Sequence, residues 1–99
     1  MAKIKISREA SADLKGIFEY TQQTWGGAQA DKYIGMIEDA CRFLARPPSA
    51  GRSQEQLVSN LRRYPIGKHY IFYRSKENII EVVRVLYQAM DVSRHLKSE

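Results

Sequence analysis

The chain has 99 residues, which suits a single domain over residues 1–99 and leaves no room for a second core. Hydrophobic residues at 43% and charged residues at 27% exclude a disordered chain, and no apolar run approaches the roughly 18 residues of a membrane span, so we expect a cytoplasmic protein without a membrane partner. The net charge of +5 favours acidic partners.

The N-terminal residues alternate in polarity before they take up a helical period. Ile4 and Ile6 share one face of a short predicted strand, and Ser7 follows as a helix N-cap. The predicted helix stops at Gly26-Gly27. Its apolar side consists of residues spaced by three or four: Ala10, Leu14, Ile17, Phe18, Thr21 and Trp25.

A second helical pattern continues until Pro47-Pro48, which forbids a further turn. The two predicted helices form an antiparallel hairpin. Cys41, the only cysteine of the chain, cannot form an intrachain disulfide and is expected to pack as a small core residue. The apolar positions of this helix are Ala30, Tyr33, Ile34, Ile37, Ala40, Cys41 and Leu44.

The second half of the chain has the two-residue period of strands. After a polar loop over residues 46–60, three strands are predicted over 61–64, 68–74 and 78–87. The sequence therefore predicts an α+β fold: an N-terminal strand, a two-helix hairpin and a three-stranded antiparallel meander in one sheet, followed by a short C-terminal helix.

The last predicted strand is apolar on both faces, as in a buried strand. Because two helices cover only one face of a sheet, we expect the other face to need a cover from elsewhere. Strict alternation places Ile80, Val82, Arg84 and Leu86 on one face, and Ile79, Val83 and Val85 on the other.

The positive charge lies in the second half of the chain. Residues 1–51 contain 7 basic and 6 acidic residues, whereas residues 52–99 contain 9 and 5. Between residues 61 and 74, Arg62, Arg63, Lys68 and Arg74 meet no carboxylate. This pattern suits the binding of nucleic acid or of an acidic protein segment, and a solvated basic surface is the alternative.

The sequence contains no phosphate-binding loop, no metal-spaced histidine cluster and no recognisable nucleophile motif, so we expect no cofactor and no metal. His69 lies on a predicted strand and is interpreted as a hydrogen-bonded structural residue. Tyr70, Phe72 and Tyr73 are interpreted as core or interface residues, with base stacking as the alternative.

Five segments in order resemble ParE toxins of the RelE/ParE superfamily, over nearly the whole chain. The resemblance implies a toxin of a bacterial type II toxin–antitoxin module that stabilises the cleaved DNA complex of gyrase, or of the related topoisomerase IV. It also implies a ParD-like antitoxin, and association with DNA only through the topoisomerase or the antitoxin complex. The segments are Trp25 to Ala30, Pro48 to Gly51, Leu61 to Tyr64, Gly67 to Arg74 and Val83 to Asp91.

The RelE branch of the same superfamily gives a second hypothesis, ribosome-dependent cleavage of messenger RNA. That reaction needs cationic stabilisation of a phosphorane and a proton donor, for which Arg62, Arg84 and Tyr87 are the candidates. Tyr87 stands where ParE-like chains commonly carry histidine, which favours this branch, whereas the segments at Trp25-Gly26 and Met90-Asp91 favour the gyrase inhibitor. A module that only sequesters an antitoxin is a third hypothesis.

The apolar and basic sheet is the predicted antitoxin surface, on which a tail buries apolar side chains while its acidic groups meet arginines. In the C-terminal segment, Met90, Val92 and Leu96 are expected to pack on the sheet and leave the remaining side chains to contact the target. The predicted partner-binding residues are Arg62, Arg63, Arg84, Leu86, Tyr87, Arg94 and His95.

Overall fold

Two helices pack against one face of a five-stranded mixed sheet. The computed structural model describes residues 2–90 and 95–96. The sheet order is β1-β5-β4-β3-β2, with β1 parallel to β5 and the other pairs antiparallel. This confirms the α+β class. The elements are β1 (Lys3–Ile6), α1 (Arg8–Trp25), α2 (Gly27–Leu44), a 3₁₀ turn (Pro48–Ala50), β2 (Arg52–Ser53), β3 (Leu61–Ile66), β4 (His69–Lys76) and β5 (Ile79–Tyr87).

Both helices begin and end close to their predicted limits. The Ser7 hydroxyl accepts a hydrogen bond from the Ala10 N–H at 2.9 Å, which confirms the N-cap of α1. Gly26 alone joins the helices, with a φ of 95° that favours glycine. Neither α1 nor α2, the two α-helices of the described residues, is long and apolar enough to cross a membrane.

The strands differ from the predicted ones in three details. β2 was not predicted, because only two residues pair with β3. β3 continues through Pro65, where β2 no longer lies alongside and the missing N–H costs no bond on that side. The β4–β5 turn is Glu77-Asn78, with a positive φ at both residues, as two-residue hairpin turns require.

A β-bulge changes the faces of β5. Val82 pairs with Tyr73 and Arg84 pairs with Phe72, so that Val83 has no partner on β4. An extra residue reverses the alternation of everything that follows it. The predicted faces are therefore wrong from Arg84 onward: Arg84 and Leu86 lie on the face opposite Val82, and Val85 lies on the same face as Val82, whereas Val83 lies on its predicted face.

The sheet has a hydrophobic cluster on each face. The first lies under the helices, and Cys41 is buried in it as predicted, with the pKa of its thiol raised to about 11 by burial. The second lies on the opposite face, where Val58 and the buried Leu96 pack on the sheet. The expectation that this face lacks a cover of its own is corrected, since Leu61, Phe72 and Leu86 are already buried within the chain.

Near the C-terminus, Leu96 belongs to that second cluster, whereas His95 is exposed. Leu96 packs as predicted, whereas Met90 is partly exposed. Residues 91–94 of the predicted C-terminal helix lie outside the described residues, and Val92 and Arg94 are among them. Leu96 itself is buried at 6% exposure.

Candidate functional site

An apolar groove of about 1160 Å³ opens between α1, the start of α2 and the ends of β4 and β5. Its walls carry four large apolar residues that water reaches. Tyr20 is 68% exposed, Trp25 70%, Tyr87 45% and Met90 39%. Contiguous exposed apolar area of this kind marks a surface that another molecule covers. We define the apolar groove by these four residues.

Trp25 departs most from its sequence pattern. It follows the buried Thr21 by one helical turn and so keeps the spacing of the buried stripe of α1. The expectation that it lies on the buried side is nevertheless wrong, because the ring stands in solvent at the last residue of the helix. Tryptophan is enriched among residues that dominate binding energy, which makes Trp25 the strongest anchor of the groove.

An ion pair closes the floor of the groove. Arg84 donates from Nε to Asp13 Oδ2 at 2.8 Å and from Nη2 to Asp13 Oδ1 at 2.9 Å. Both side chains are largely buried. The bonds to the carboxylate raise the pKa of Arg84 above its usual value. The positive charge of Arg84 is therefore already neutralised within the chain.

The same carboxylate protects the edge of β5. β1 pairs with β5 only as far as Val82. Beyond that point the Ser7 hydroxyl donates to the Val83 carbonyl at 2.8 Å, and the Val85 N–H donates to Asp13 Oδ2 at 2.9 Å. The start of α1 thus replaces a sixth strand and prevents an exposed sheet edge beside the groove.

His69 lies at the opposite end of the groove, between Tyr33 and Tyr87. The Tyr33 hydroxyl lies 2.7 Å from His69 Nδ1 and accepts from the Lys68 N–H at 2.9 Å. The same hydroxyl also lies within donating distance of the Ile66 carbonyl, at 3.4 Å. Burial lowers the pKa of His69, and the charge of Asp13 opposes that shift. The hydrogen bond between the Tyr33 hydroxyl and His69 Nδ1 agrees with the structural interpretation of His69.

Gly67 makes the approach of Tyr33 possible. A Cβ atom at this position would lie 2.5 Å from the Tyr33 hydroxyl oxygen, and the φ of 56° also favours glycine. The hairpin turn and the tyrosine therefore fix the wall of the groove together.

The structure separates the predicted arginines. Arg62 faces the helix side of the sheet, where its guanidinium donates to the Gly51 carbonyl at 2.6 Å. Arg63 lies on the opposite face, with its guanidinium 4.3 Å from the centre of the Tyr70 ring. Arg62 does not line the groove, whereas Arg84 and Tyr87 do. The three residues of the ribonuclease hypothesis are therefore not brought together.

The remaining predicted partner contacts are divided between core and surface. Leu86 is buried at 3% exposure, and its side chain packs in the second cluster. His95 is exposed, and its carbonyl accepts from Arg84 Nη1 at 3.4 Å. Arg94 lies outside the described residues.

Several important groove residues were not predicted, and one of them has a recognisable signal. Asp13 follows Ala10 by three residues and precedes Ile17 by four, which places a carboxylate within the apolar stripe of α1. A charge at such a position needs a partner. Tyr20 had no comparable signal, since single exposed aromatic residues are common on helices.

Comparison with known proteins assigns the chain to a family. A family model described as ParE toxin of type II toxin-antitoxin system, parDE, matches residues 4–92. Toxin ParE1 of Caulobacter vibrioides is 36% identical over 96 residues, which cover 97% of this chain and 99% of that protein. Toxin ParE1 of Mycobacterium tuberculosis is 38% identical, with 92% and 94% covered. Toxin ParE of Escherichia coli is 34% identical, with 92% and 89% covered.

A solved structure shares the fold. It is described as the chromosomal ParDE TA system from P. aeruginosa and superposes with a TM-score of 0.76 at 22% sequence identity. The match covers 88% of this chain and 96% of the other. The arrangement of two helices on a sheet is therefore common to both proteins.

Proposed function

The chain belongs to the ParE toxin family of type II toxin–antitoxin systems, and from this we propose that it is a toxin that inhibits DNA gyrase by stabilising the cleaved complex of gyrase with DNA. Such an inhibitor needs a complementary surface and no catalytic group. The separation of Arg62 from Arg84 and Tyr87 supports this hypothesis over the ribonuclease. The proposed site of action is the cytoplasm, where the chromosome and gyrase are found.

We further propose that a ParD-like antitoxin neutralises the toxin by laying an amphipathic tail in the apolar groove. The observation that carries this proposal is the exposure of Trp25, Tyr20, Tyr87 and Met90 around one depression. Amphipathic helices bind such grooves through apolar residues spaced by three and four. The tail takes part of its energy from covering Trp25.

Charge at the groove is small and local. Arg84 is paired with Asp13, and Lys68 lies at the rim near His69. Rim charges change the rate of association more than the final affinity. Acidic residues of the antitoxin are therefore expected to orient the tail through Lys68, while the apolar contacts determine how slowly it dissociates.

Purified toxin and purified gyrase test the first proposal. We expect the toxin to inhibit supercoiling of relaxed plasmid and to increase the linear DNA recovered after denaturing the reaction. Prior addition of a ParD-like antitoxin that binds the toxin should suppress both effects. A parallel reaction with topoisomerase IV identifies the preferred topoisomerase.

An assay with translating ribosomes tests the alternative hypothesis, ribosome-dependent cleavage of messenger RNA. If the wild-type toxin cleaves messenger RNA on ribosomes and Tyr87→Phe abolishes the cleavage, the protein belongs functionally with the RelE branch. Absence of any effect on either topoisomerase, with intact antitoxin binding, would instead leave a module that only sequesters its antitoxin.

A further inference from the structure

The sheet face opposite the helices carries most of the cationic side chains of the strands. Paired residues project to the same side of a sheet, so the strand register assigns each side chain to a face. Arg52 pairs with Arg63, and Lys5 pairs with Glu81. The cations on this face, which we call the basic sheet face, are Lys3, Lys5, Arg52, Arg63, Arg74, Lys76 and Arg84.

Among the described residues, ion pairs compensate only part of the charge on the basic sheet face. Arg84 is paired with Asp13, and Arg74 lies 3.4 Å from Glu81. Seven cations against these two carboxylates leave an excess of five, which equals the net charge of the whole chain. Within the described part of the chain, the positive charge is thus concentrated on one side of one sheet.

Two arginines on this face stand directly opposite each other. Arg52 and Arg63 are register partners on β2 and β3, and within the described residues neither has a carboxylate within 4.0 Å. Like charges at opposed positions destabilise a sheet. A bound anion would remove that cost. Arg63 is also held over the Tyr70 ring, which fixes its guanidinium before any ligand arrives.

Apart from Ile79, which pairs with Lys3 and Lys76 and is 41% exposed, the basic sheet face offers little apolar area within the described residues. Leu61 and Phe72, which lie between its arginines, are almost fully buried. A peptide tail that depends on apolar burial therefore finds its contacts in the apolar groove and not here. A ligand that depends on regularly repeated negative charge, in contrast, finds its contacts on the basic sheet face and not in the apolar groove.

We propose that the basic sheet face binds the phosphate backbone of duplex DNA directly and without reading its sequence. Five strands about 4.8 Å apart give the row of cations a width of about 19 Å. Phosphates follow one another at about 3.4 Å of helix axis per strand, so the face spans about five or six of them. Contacts to phosphates position a protein on DNA without specifying bases.

The test uses the free toxin and needs neither gyrase nor antitoxin. Anisotropy of a labelled 20-base-pair duplex of mixed sequence is measured between 50 and 200 mM salt. If about four phosphates are neutralised, the association constant falls about 150-fold over that range. Arg52→Gln/Arg63→Gln should reduce that fall to about 12-fold and weaken binding at 50 mM salt. Because gyrase is absent, failure here leaves the proposed inhibition standing.

A matched pair of variants separates the face from net charge. Lys15→Gln/Lys32→Gln removes the same charge from exposed positions on α1 and α2 and should leave the salt dependence unchanged. Lys3→Gln/Lys5→Gln, at the other end of the face, should act like the arginine pair and serves if the arginine variants fail to fold.

Four results would overturn the proposal. The first is an equal effect of the helix and sheet variants on the salt dependence, and the second is no binding of the duplex by the wild type at 50 mM salt. The third is binding of single-stranded RNA at least tenfold tighter than binding of the duplex. The fourth is displacement of the duplex by a polyglutamate peptide whose concentration of negative charge is lower than that of the duplex. The third result would assign the face to RNA, and the fourth to an acidic protein segment.

Discussion

The apolar groove and the basic sheet face use the same strand in opposite ways. In the groove, aromatic residues are exposed, and the one arginine that reaches it is neutralised by Asp13. On the basic sheet face, the central apolar residues Leu61 and Phe72 are buried, and the cations other than Arg84 are partly or fully exposed. The difference shows that net charge and exposed hydrophobicity mark two separate surfaces of this toxin, which suit two partners of different chemistry.

The bulge at Val83 creates this division. Without the extra residue, Arg84 would lie with Val82 under the helices, and Val85 would lie outside. With it, Arg84 reaches Asp13 at the sheet edge while Val85 and Leu86 enter the two cores. The extra residue of the bulge thus determines which side chains of β5 reach the apolar groove and which reach the basic sheet face.

Removing the Asp13 carboxylate, which pairs with Arg84 where the two surfaces meet, should have the largest effect on stability. Asp13→Ala leaves the Arg84 guanidinium and the Val85 N–H without their acceptor, and we expect a loss of about 3 kcal/mol in the free energy of unfolding, the low end for a buried pair because Arg84 keeps some solvent contact. Urea denaturation measures it. Asp13→Asn, which keeps an oxygen acceptor, should lose less; equal stability of Asp13→Ala and wild type would show that the pair is unimportant.

Truncating the groove anchor should weaken antitoxin binding without unfolding the toxin. Trp25→Ala is expected to reduce affinity about 30-fold, a loss of about 2 kcal/mol typical of a hot spot. Titration calorimetry measures it. Phe43→Ala, at an exposed aromatic residue outside the groove, is the matched control and should leave affinity unchanged. The groove assignment fails if the two variants bind alike.

A third variant tests whether the second cluster is closed within the chain. Leu96→Ala removes a buried side chain from Leu61, Phe72 and Leu86, and we expect about 2 kcal/mol of destabilisation in thermal or chemical denaturation. Antitoxin affinity should not change. Unaltered stability together with weaker antitoxin binding would mean that this face is a partner surface.

The smallest expected effect is the change in the free energy of unfolding with pH. Because the pKa of His69 is lowered on folding from its usual 6.5, the unfolded state binds the proton more readily. Stability is then fully present above pH 6.5 and decreases as the pH falls below it, by a small amount because His69 is partly exposed. His69→Gln should flatten the profile of unfolding free energy in this window. A wild-type profile that rises on acidification would contradict the assignment.

The helices and hairpins could be predicted from the sequence because their signals are local. Ser7 caps α1 through its side chain, Gly26 and Pro47 act through their own backbone, and the two-residue period appears in any single strand. The bulge at Val83 depends on pairing with another strand, and the two-residue strand β2 is defined only by its pairing with β3. Neither is visible in a local pattern.

The site was less predictable than the fold. Strand parity is enough to separate Arg62 from Arg63, yet proximity in sequence suggested a common role. Trp25 had core spacing and proved exposed, because spacing identifies a helix face and not what covers it. The groove itself is formed by three separate parts of the chain, so only their arrangement in space revealed it.

Hydroxyl-radical footprinting of the toxin, alone and bound to its antitoxin, tests the division of surfaces most directly. Oxidation of Tyr20, Trp25 and Met90 reports on the apolar groove, and oxidation of the half-buried Tyr70 reports on the basic sheet face. We predict strong protection of the first three residues and an unchanged rate at Tyr70. Protection of Tyr70 with unchanged oxidation of Trp25 and Met90 would contradict the division.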